Sequence, residues 1–186
     1  MTLPKPTPAL IRRRLDELDA GTNLNDLDRA VQIVFEQWPR NVSLTEILVK
    51  VAVLNQIYGT NIYDINTVAE HVLSLSIDER LGAGDTGLVA DIARVEFKKG
   101  MRTCYSFATK YCAWHRPDDF QIYDRWVDEM LWRYQKAFAF HPFKQAELRD
   151  YPRFVEIADA FGRHFGLTDF SRREIDRFLW SEGRST

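Results

Sequence analysis

Cysteine is nearly absent: Cys104 and Cys112 are the only two in 186 residues. So low a count does not fit a disulfide scaffold, and it excludes an iron–sulfur cluster, which takes four thiolates. Long apolar runs are missing as well; none approaches the roughly 20 residues of a membrane-spanning helix. The opening Met-Thr-Leu-Pro-Lys-Pro lacks a basic segment followed by an apolar stretch, so no signal peptide is expected and a cytoplasmic setting is. Charge of one sign is also lacking, since 25 Lys and Arg against 27 Asp and Glu leave a formal −2. A nucleic-acid partner would therefore have to be met by a local basic face rather than by net charge. Strand-like alternation of useful length, internal repeats and low-complexity segments do not occur. The pair Gly82 and Gly84 has no strand before it, which makes it a turn rather than a nucleotide-binding loop.

Helical periodicity on large apolar side chains is what the chain has in quantity. Hydrophobic residues are 45% of it, aromatics 13%, with five tryptophans to pack between helices. Residues 1–7 are expected to be extended, and a helix follows from Pro8 to about Gly21 with Leu10, Ile11, Leu15 and Leu18 on one face. Arg12, Arg13 and Arg14 on it are either phosphate contacts or a solvated helix face. A second helix spans 25–37 and ends before Pro39. A third starts at Ser43 with Glu46 as a capping-box partner, and Ile47, Leu48, Val51, Ala52, Leu54 and Ile57 make it apolar nearly all round. Further helices are expected over 64–75, after a second capping box at Ser76–Glu79, over 86–97, 124–140 and 152–165, and after the capping box Ser171–Glu174. The reading is an all-α chain of about eight to ten helices in a single domain, 1–186.

The chain is organised around residues 106–124, SFATKYCAWHRPDDFQIYD. It reads as a helix end, a break at Pro117-Asp118-Asp119, and a new helix start. Lys110 and Asp124 are ionisable groups inside an otherwise apolar frame of Phe107, Tyr111, Trp114, Ile122, Trp126 and Val127. A turn at Pro117 lets both face one cleft. A partly desolvated lysine loses its proton more easily and becomes a nucleophile, and an aspartate at a helix start is held ionised by free N–H groups. An amine with a fixed carboxylate suits attack on a sugar carbon. The alternative is that Lys110 snorkels along the core edge and Asp124 only caps its helix.

This run resembles the "F-x-x-K…P-x-x-F-P-I-x-D" segment of bacterial proteins similar to 8-oxoguanine DNA glycosylase, in the helix-hairpin-helix DNA glycosylase superfamily. A second stretch, ILVKVAVLNQIYGTN at 47–61, is similar to that superfamily's "I-L-S-Q-Q-T" helix end. The resemblance implies an enzyme of base excision that flips a damaged or modified base out of double-stranded DNA and cleaves its glycosidic bond, with Lys110 attacking C1′ and Asp124 stabilising the sugar cation. It implies DNA contacts from Asn55, Gln56, Tyr58, Thr60 and Asn61. Without it, those residues read as a helix end capped by Gly59 and followed by a turn. Lys98, Lys99 and Arg102 flank Gly100 where the family carries a G-V-G-type phosphate-binding hairpin, here absent, and are implied to grip DNA. Ser106, Tyr111 and Trp114 are implied to line the base pocket. No cofactor, metal or membrane is implied.

Two other readings come from the residues themselves. Cys104, Cys112 and His115 share one helix face, a zinc-like set, although ligands from a single helix rarely enclose a metal. A non-catalytic helical interaction module, as in bacterial defence or toxin–antitoxin systems, fits the acidic balance and the aromatic-rich helices.

Overall fold

The computed structural model describes residues 3–184. The chain is mostly helical, as expected, with one small sheet among the described residues. Length predicts one domain; the contacts group into two compact units. One comprises the residues up to Leu24 together with those from Gln121 onward, the other Asn25–Phe120.

The first unit holds α1 (Pro8–Gly21), α8 (Arg125–Phe138), a 3-10 turn (Gln145–Arg149), α9 (Tyr151–His164) and α10 (Arg172–Arg184). Thr7 caps α1 by accepting from the Leu10 N–H at 3.2 Å, with Pro8 in the first turn, where its missing N–H costs nothing. The box expected before α10 forms: Glu174 Oε2 accepts from the Ser171 N–H at 2.8 Å, and Ser171 Oγ accepts from the Glu174 N–H at 3.2 Å. Tyr134 of α8 is fully buried among Phe161 of α9 and Phe178 of α10, with ring centroids 5.3 and 6.4 Å away. The arginines of α1 belong to a solvated, ion-paired face. Arg13 and Arg14 meet Glu17, Arg14 also reaches Glu182 at 2.6 Å, and Arg12 lies over Phe170.

The second unit holds α2 (Leu24–Gln37), α3 (Leu44–Tyr58), α4 (Ile65–Ser74), α5 (Asp78–Gly82), α6 (Leu88–Ala93), strands β1 (Arg94–Phe97) and β2 (Gly100–Thr103), and α7 (Tyr105–His115). Helix α3 packs on α4 and α7, and α6 on α7. Gly59 ends α3 in the left-handed conformation, φ +58, as its sequence position predicts. Two expected capping boxes do not form. Ser43 precedes α3 without a side-chain cap, and Ile77, not Ser76, precedes α5.

The helix expected over 86–97 is corrected by the structure: α6 stops at Ala93 and the chain turns into an antiparallel hairpin. Its register pairs Arg94 with Thr103, Val95 with Arg102, Glu96 with Met101 and Phe97 with Gly100. Buried Val95 between exposed Arg94 and Glu96 is a strand alternation, two residues of it too short to outweigh the helical spacing of Leu88, Val89 and Ile92. Lys98 and Lys99 form the turn, and Gly100, at φ +106, takes the dihedral that lets a tight turn rejoin the ladder. The Cys104 N–H donates to Ala93 O at 2.7 Å and closes the hairpin's base.

Where α10 crosses α8, a side chain at Gly183 has no room: a Cβ there would sit 3.0 Å from Trp126 Cβ and 3.2 Å from Trp126 Cε3. Alanine's higher helix propensity, about 1 kcal/mol, is then outweighed by overpacking of roughly 1–3 kcal/mol. Gly183→Ala is expected to lower Tm by roughly 2–4 °C, whereas Gly82→Ala, with open space around it, is expected not to. Thermal unfolding of the two variants checks this.

Candidate functional site

Helix α7 is buried on nearly every side: Tyr105 and every residue from 107 to 113 lie inside. Its sequence, Tyr-Ser-Phe-Ala-Thr-Lys-Tyr-Cys-Ala-Trp-His, has no polar stripe, so any ionisable group on it must be accommodated by neighbours. Lys110 is only 4% exposed. Its Nζ donates to Oγ of Ser106, one turn earlier, at 2.9 Å, and stands 5.8 Å from the ring centre of Tyr58. The Tyr58 hydroxyl donates to Asp28 Oδ1 at 2.8 Å, which holds the ring in place, and Trp114 lies 6.4 Å from it at a tilt of 33°. Lys110, Ser106, Tyr58 and Trp114 thus form one cluster in the second unit. Arg116 ends the helix, and the Pro117-Asp118-Asp119 break is a turn closed by the Asp119 and Phe120 N–H groups on Arg116 O.

Asp124 lies in the other unit, as the N-cap of α8. Both of its observed bonds fall on Oδ1, from the Trp126 N–H at 2.8 Å and the Val127 N–H at 3.0 Å. This is the capping role, and it fixes the carboxylate.

Other expected site residues are placed differently. Tyr111 faces the core. It is fully buried, its ring against Phe35, Phe107 and His115, and its hydroxyl donates to Asn41 Oδ1 at 2.5 Å. Asn55 and Thr60 are spent on loop closure rather than presented outward. Asn55 Nδ2 donates to Ile62 O, and its Oδ1 accepts from the Thr60 hydroxyl and the Ile62 N–H, each at 2.9 Å. A loop leaving a buried helix must satisfy its backbone groups, and Asn55 does so here. Gln56 is exposed, as is Asn61 at φ +58. Lys98, Lys99 and Arg102 are exposed on the hairpin. Cys112 is fully buried, and burial pushes its thiol far above the ordinary range; burial also raises Cys104. Among the described residues, no group of three or more His, Cys, Asp or Glu side chains is arranged to hold a metal ion.

A second buried lysine escapes the periodicity argument. Lys50 sits on the inner face of α3, three residues after Ile47 and four before Leu54, and is fully buried. Its ammonium donates to Arg40 O at 2.8 Å, Trp38 O at 3.2 Å and Asn41 Oδ1 at 2.7 Å, and lies 3.4 Å from His115 Nε2. Asn41 in turn donates from its N–H and Nδ2 to Asp78, at 3.0 and 2.7 Å to Oδ1. A lysine on an otherwise apolar helix face is the one signal that marks this cluster in the sequence.

Burial pushes Lys50 down to about 8, against the opposing fields of Asp78 and Glu46. Burial first, then the Lys50 charge, pushes His115 down to about 3, with Asp78 opposing. Burial alone would raise Asp78, but hydrogen bonds from Asn41 with His115 and Arg40 nearby leave it below its usual value.

His115 therefore stays neutral in the fold and takes a proton near 6.5 when the chain unfolds. The unfolded state binds the extra proton between about 6.5 and 3, so stability falls as pH drops through that window. The slope is at most about 1.4 kcal/mol per pH unit. Urea unfolding at pH 7 and pH 4.5 is expected to show a smaller loss for His115→Gln than for the unaltered chain. Equal losses would mean that His115 protonates freely in the folded state.

A family model described as the HI_0787_N N-terminal domain matches residues 10–119, and its end falls beside Phe120, where the second unit ends. An uncharacterized protein of Haemophilus influenzae is 37% identical over 177 residues, covering 91% of this chain and 85% of that protein. No solved structure matches. With more than half its length under the domain model and nearly all of it aligned to the Haemophilus protein, the chain belongs to the HI_0787_N family.

Proposed function

We propose that the protein is a DNA glycosylase that removes a damaged or modified base, with Lys110 as its amine nucleophile. The observation that carries this reading is the setting of Lys110: a buried amine held by the Ser106 hydroxyl and flanked by the rings of Tyr58 and Trp114. It joins the resemblance of residues 106–124 to the lysine segment of such enzymes. Lys50, the other buried lysine, contrasts with it, since its ammonium is spent on backbone carbonyls and Asn41.

In the proposed reaction the neutral Lys110 amine attacks C1′ of an extruded nucleotide. The glycosidic C–N bond breaks, and the base leaves with that electron pair and gains a proton. Loss of the ring oxygen from C1′ then gives a Schiff base on Lys110. Tyr58 and Trp114 offer faces for the extruded base to stack on. Asp124 is testable apart from its cap: asparagine caps a helix as well as aspartate does, so Asp124→Asn removes the charge and keeps the fold.

Borohydride trapping on duplexes carrying an abasic site or 8-oxoguanine tests the reading. The unaltered protein is expected to form a covalent adduct, Lys110→Gln to lose at least 100-fold of it, and Asp124→Asn to lose much of it at unchanged Tm. A Lys110→Gln variant that traps as well as the unaltered chain would remove Lys110 from the chemistry. No adduct and no base release across a panel of modified duplexes would favour an interaction module instead. That second reading rests on Ile33, Val42 and Tyr63, which are 50%, 61% and 87% exposed in the second unit.

A further inference from the structure

Helix α2 carries an acid where its packing face calls for an apolar residue. Val31 and Phe35 of that face are buried, and Asp28, one turn before Val31 and two before Phe35, continues the stripe half-buried. A carboxylate drawn that far out of water needs donors to replace its hydration. Its Oδ1 accepts from the Tyr58 hydroxyl at 2.8 Å, and Tyr58 is the last residue of α3. Helix ends fray, so a ring at this position keeps its pose only if something outside the helix holds it. Asp28 does.

The held ring is the one that stands against the amine. Lys110 Nζ lies 5.8 Å from the centre of the Tyr58 ring, whose face attracts an ammonium. Trp114, 6.4 Å from Tyr58, is backed in turn by Phe35 of α2 at 6.5 Å. A single face of α2 therefore sets both aromatic rings beside Lys110, Asp28 through a hydrogen bond and Phe35 through ring contact. Tyr58, Ser106 and Trp114 are each half-buried, whereas Lys110 is 4% exposed. The amine thus lies just beneath a layer of partly exposed side chains, and the pose of Tyr58 decides how a reacting group meets it.

We propose that Asp28 is a positioning residue for the Lys110 amine: by holding the Tyr58 hydroxyl it fixes the ring that covers the amine and against which the extruded base is oriented. Its part in base excision rests on the glycosylase reading; its control of access to the amine does not. The role requires a hydrogen-bond acceptor rather than a negative charge. Asparagine in place of Asp28 keeps such an acceptor and holds the ring, whereas alanine releases it. A bond that only ties α2 to α3 predicts lower stability in Asp28→Ala, with no change particular to Lys110.

Reductive alkylation with glycolaldehyde and cyanoborohydride, read by peptide mass spectrometry well below the Tm of every variant, measures access to Lys110 without DNA. Exposed Lys98 and Lys99 serve as the reference within the same chain. Relative to them, Asp28→Ala and Tyr58→Phe are each expected to raise Lys110 labelling about 3-fold or more, the size of one lost hydrogen bond. The double variant is expected to go no further than either, and Asp28→Asn to label as the unaltered chain does. On a saturating abasic duplex, Asp28→Ala is expected to slow borohydride-trapped adduct formation about 10-fold or more through misplacement of the ring, with Asp28→Asn close to the unaltered rate. Opposite signs in the two measurements are the mark of a lost pose, which a general loosening of the fold would not give. Unchanged Lys110 labelling in Asp28→Ala overturns the proposal, as does labelling of Asp28→Asn that matches Asp28→Ala. A measurable adduct rate that is equal in Asp28→Ala and the unaltered chain overturns it too. The expected labelling pattern, without any adduct from the unaltered protein, supports the positioning of Lys110 by Asp28 and sinks the glycosylase reading, so the two failures are distinguishable.

Discussion

The ammonium of Lys50, sealed inside the second unit, is the constraint on which the rest of that unit depends. Moving such an ion out of water costs several kcal/mol unless hydrogen bonds replace the lost hydration. Three oxygens do so, and two are carbonyls of the segment just past α2, where unsatisfied acceptors and the negative helix end favour a cation. The third, Asn41 Oδ1, also accepts from Tyr111, while the amide's other side donates to Asp78. One side chain therefore ties the exit of α2 and helices α3, α5 and α7 into one polar knot. For His115 Nε2 to face an ammonium it must be an acceptor, which puts the ring proton on Nδ1 and keeps the ring neutral.

The knot also sets the rotation of α7. Tyr111 and Lys110 are neighbours in sequence and point about 100° apart on a helix. With the Tyr111 hydroxyl bound to Asn41, Lys110 is directed to Ser106 and the Tyr58 ring. Tyr58 is anchored in its turn by Asp28 of α2. The position of the candidate amine thus follows from core hydrogen bonds rather than from a flexible loop. All these residues fall within 10–119, the stretch matched by the family domain, and Asp124 alone lies outside it.

Helix existence and most ends were legible because period, proline, glycine and caps agree locally. Pro8 at the start of α1, Gly59 after α3 and Asp124 before α8 each have a physical role that the spacing announces. The hairpin was not legible, because Val95 continues the helical spacing from Ile92 as well as it begins a strand alternation. The choice is made by Gly100 and by the Ala93 carbonyl, whose partner lies eleven residues ahead. Lys110 could be singled out as a charge among aromatics. Lys50 carried only the weaker mark of a lysine on a helix apolar nearly all round, and its partners, the carbonyls after α2, lie outside its own helix. Tyr111 and Asn55 show the limit most clearly. A sequence gives a polar group its neighbours along the chain, whereas Asn41, 70 residues from Tyr111, decides that this hydroxyl turns inward.

Electrostatics connects the hairpin to α7. At about 0.1 M salt the field of a charge fades within roughly 10 Å, so a polyanion close to the surface responds to local groups and not to the net −2. Local to the hairpin, its four cations face Glu96 and Asp64, whose carboxyl is held below its usual value by hydrogen bonds from Thr67 and by the Lys98 charge. Strand β2 leads directly through Cys104 into α7, and Lys110 stands five residues beyond the helix start, roughly 7–8 Å along its axis. The basic hairpin and the buried amine are therefore consecutive elements of one unit. A buried amine has no long reach of its own. Under the proposed reaction it depends on the extruded nucleotide being brought to it.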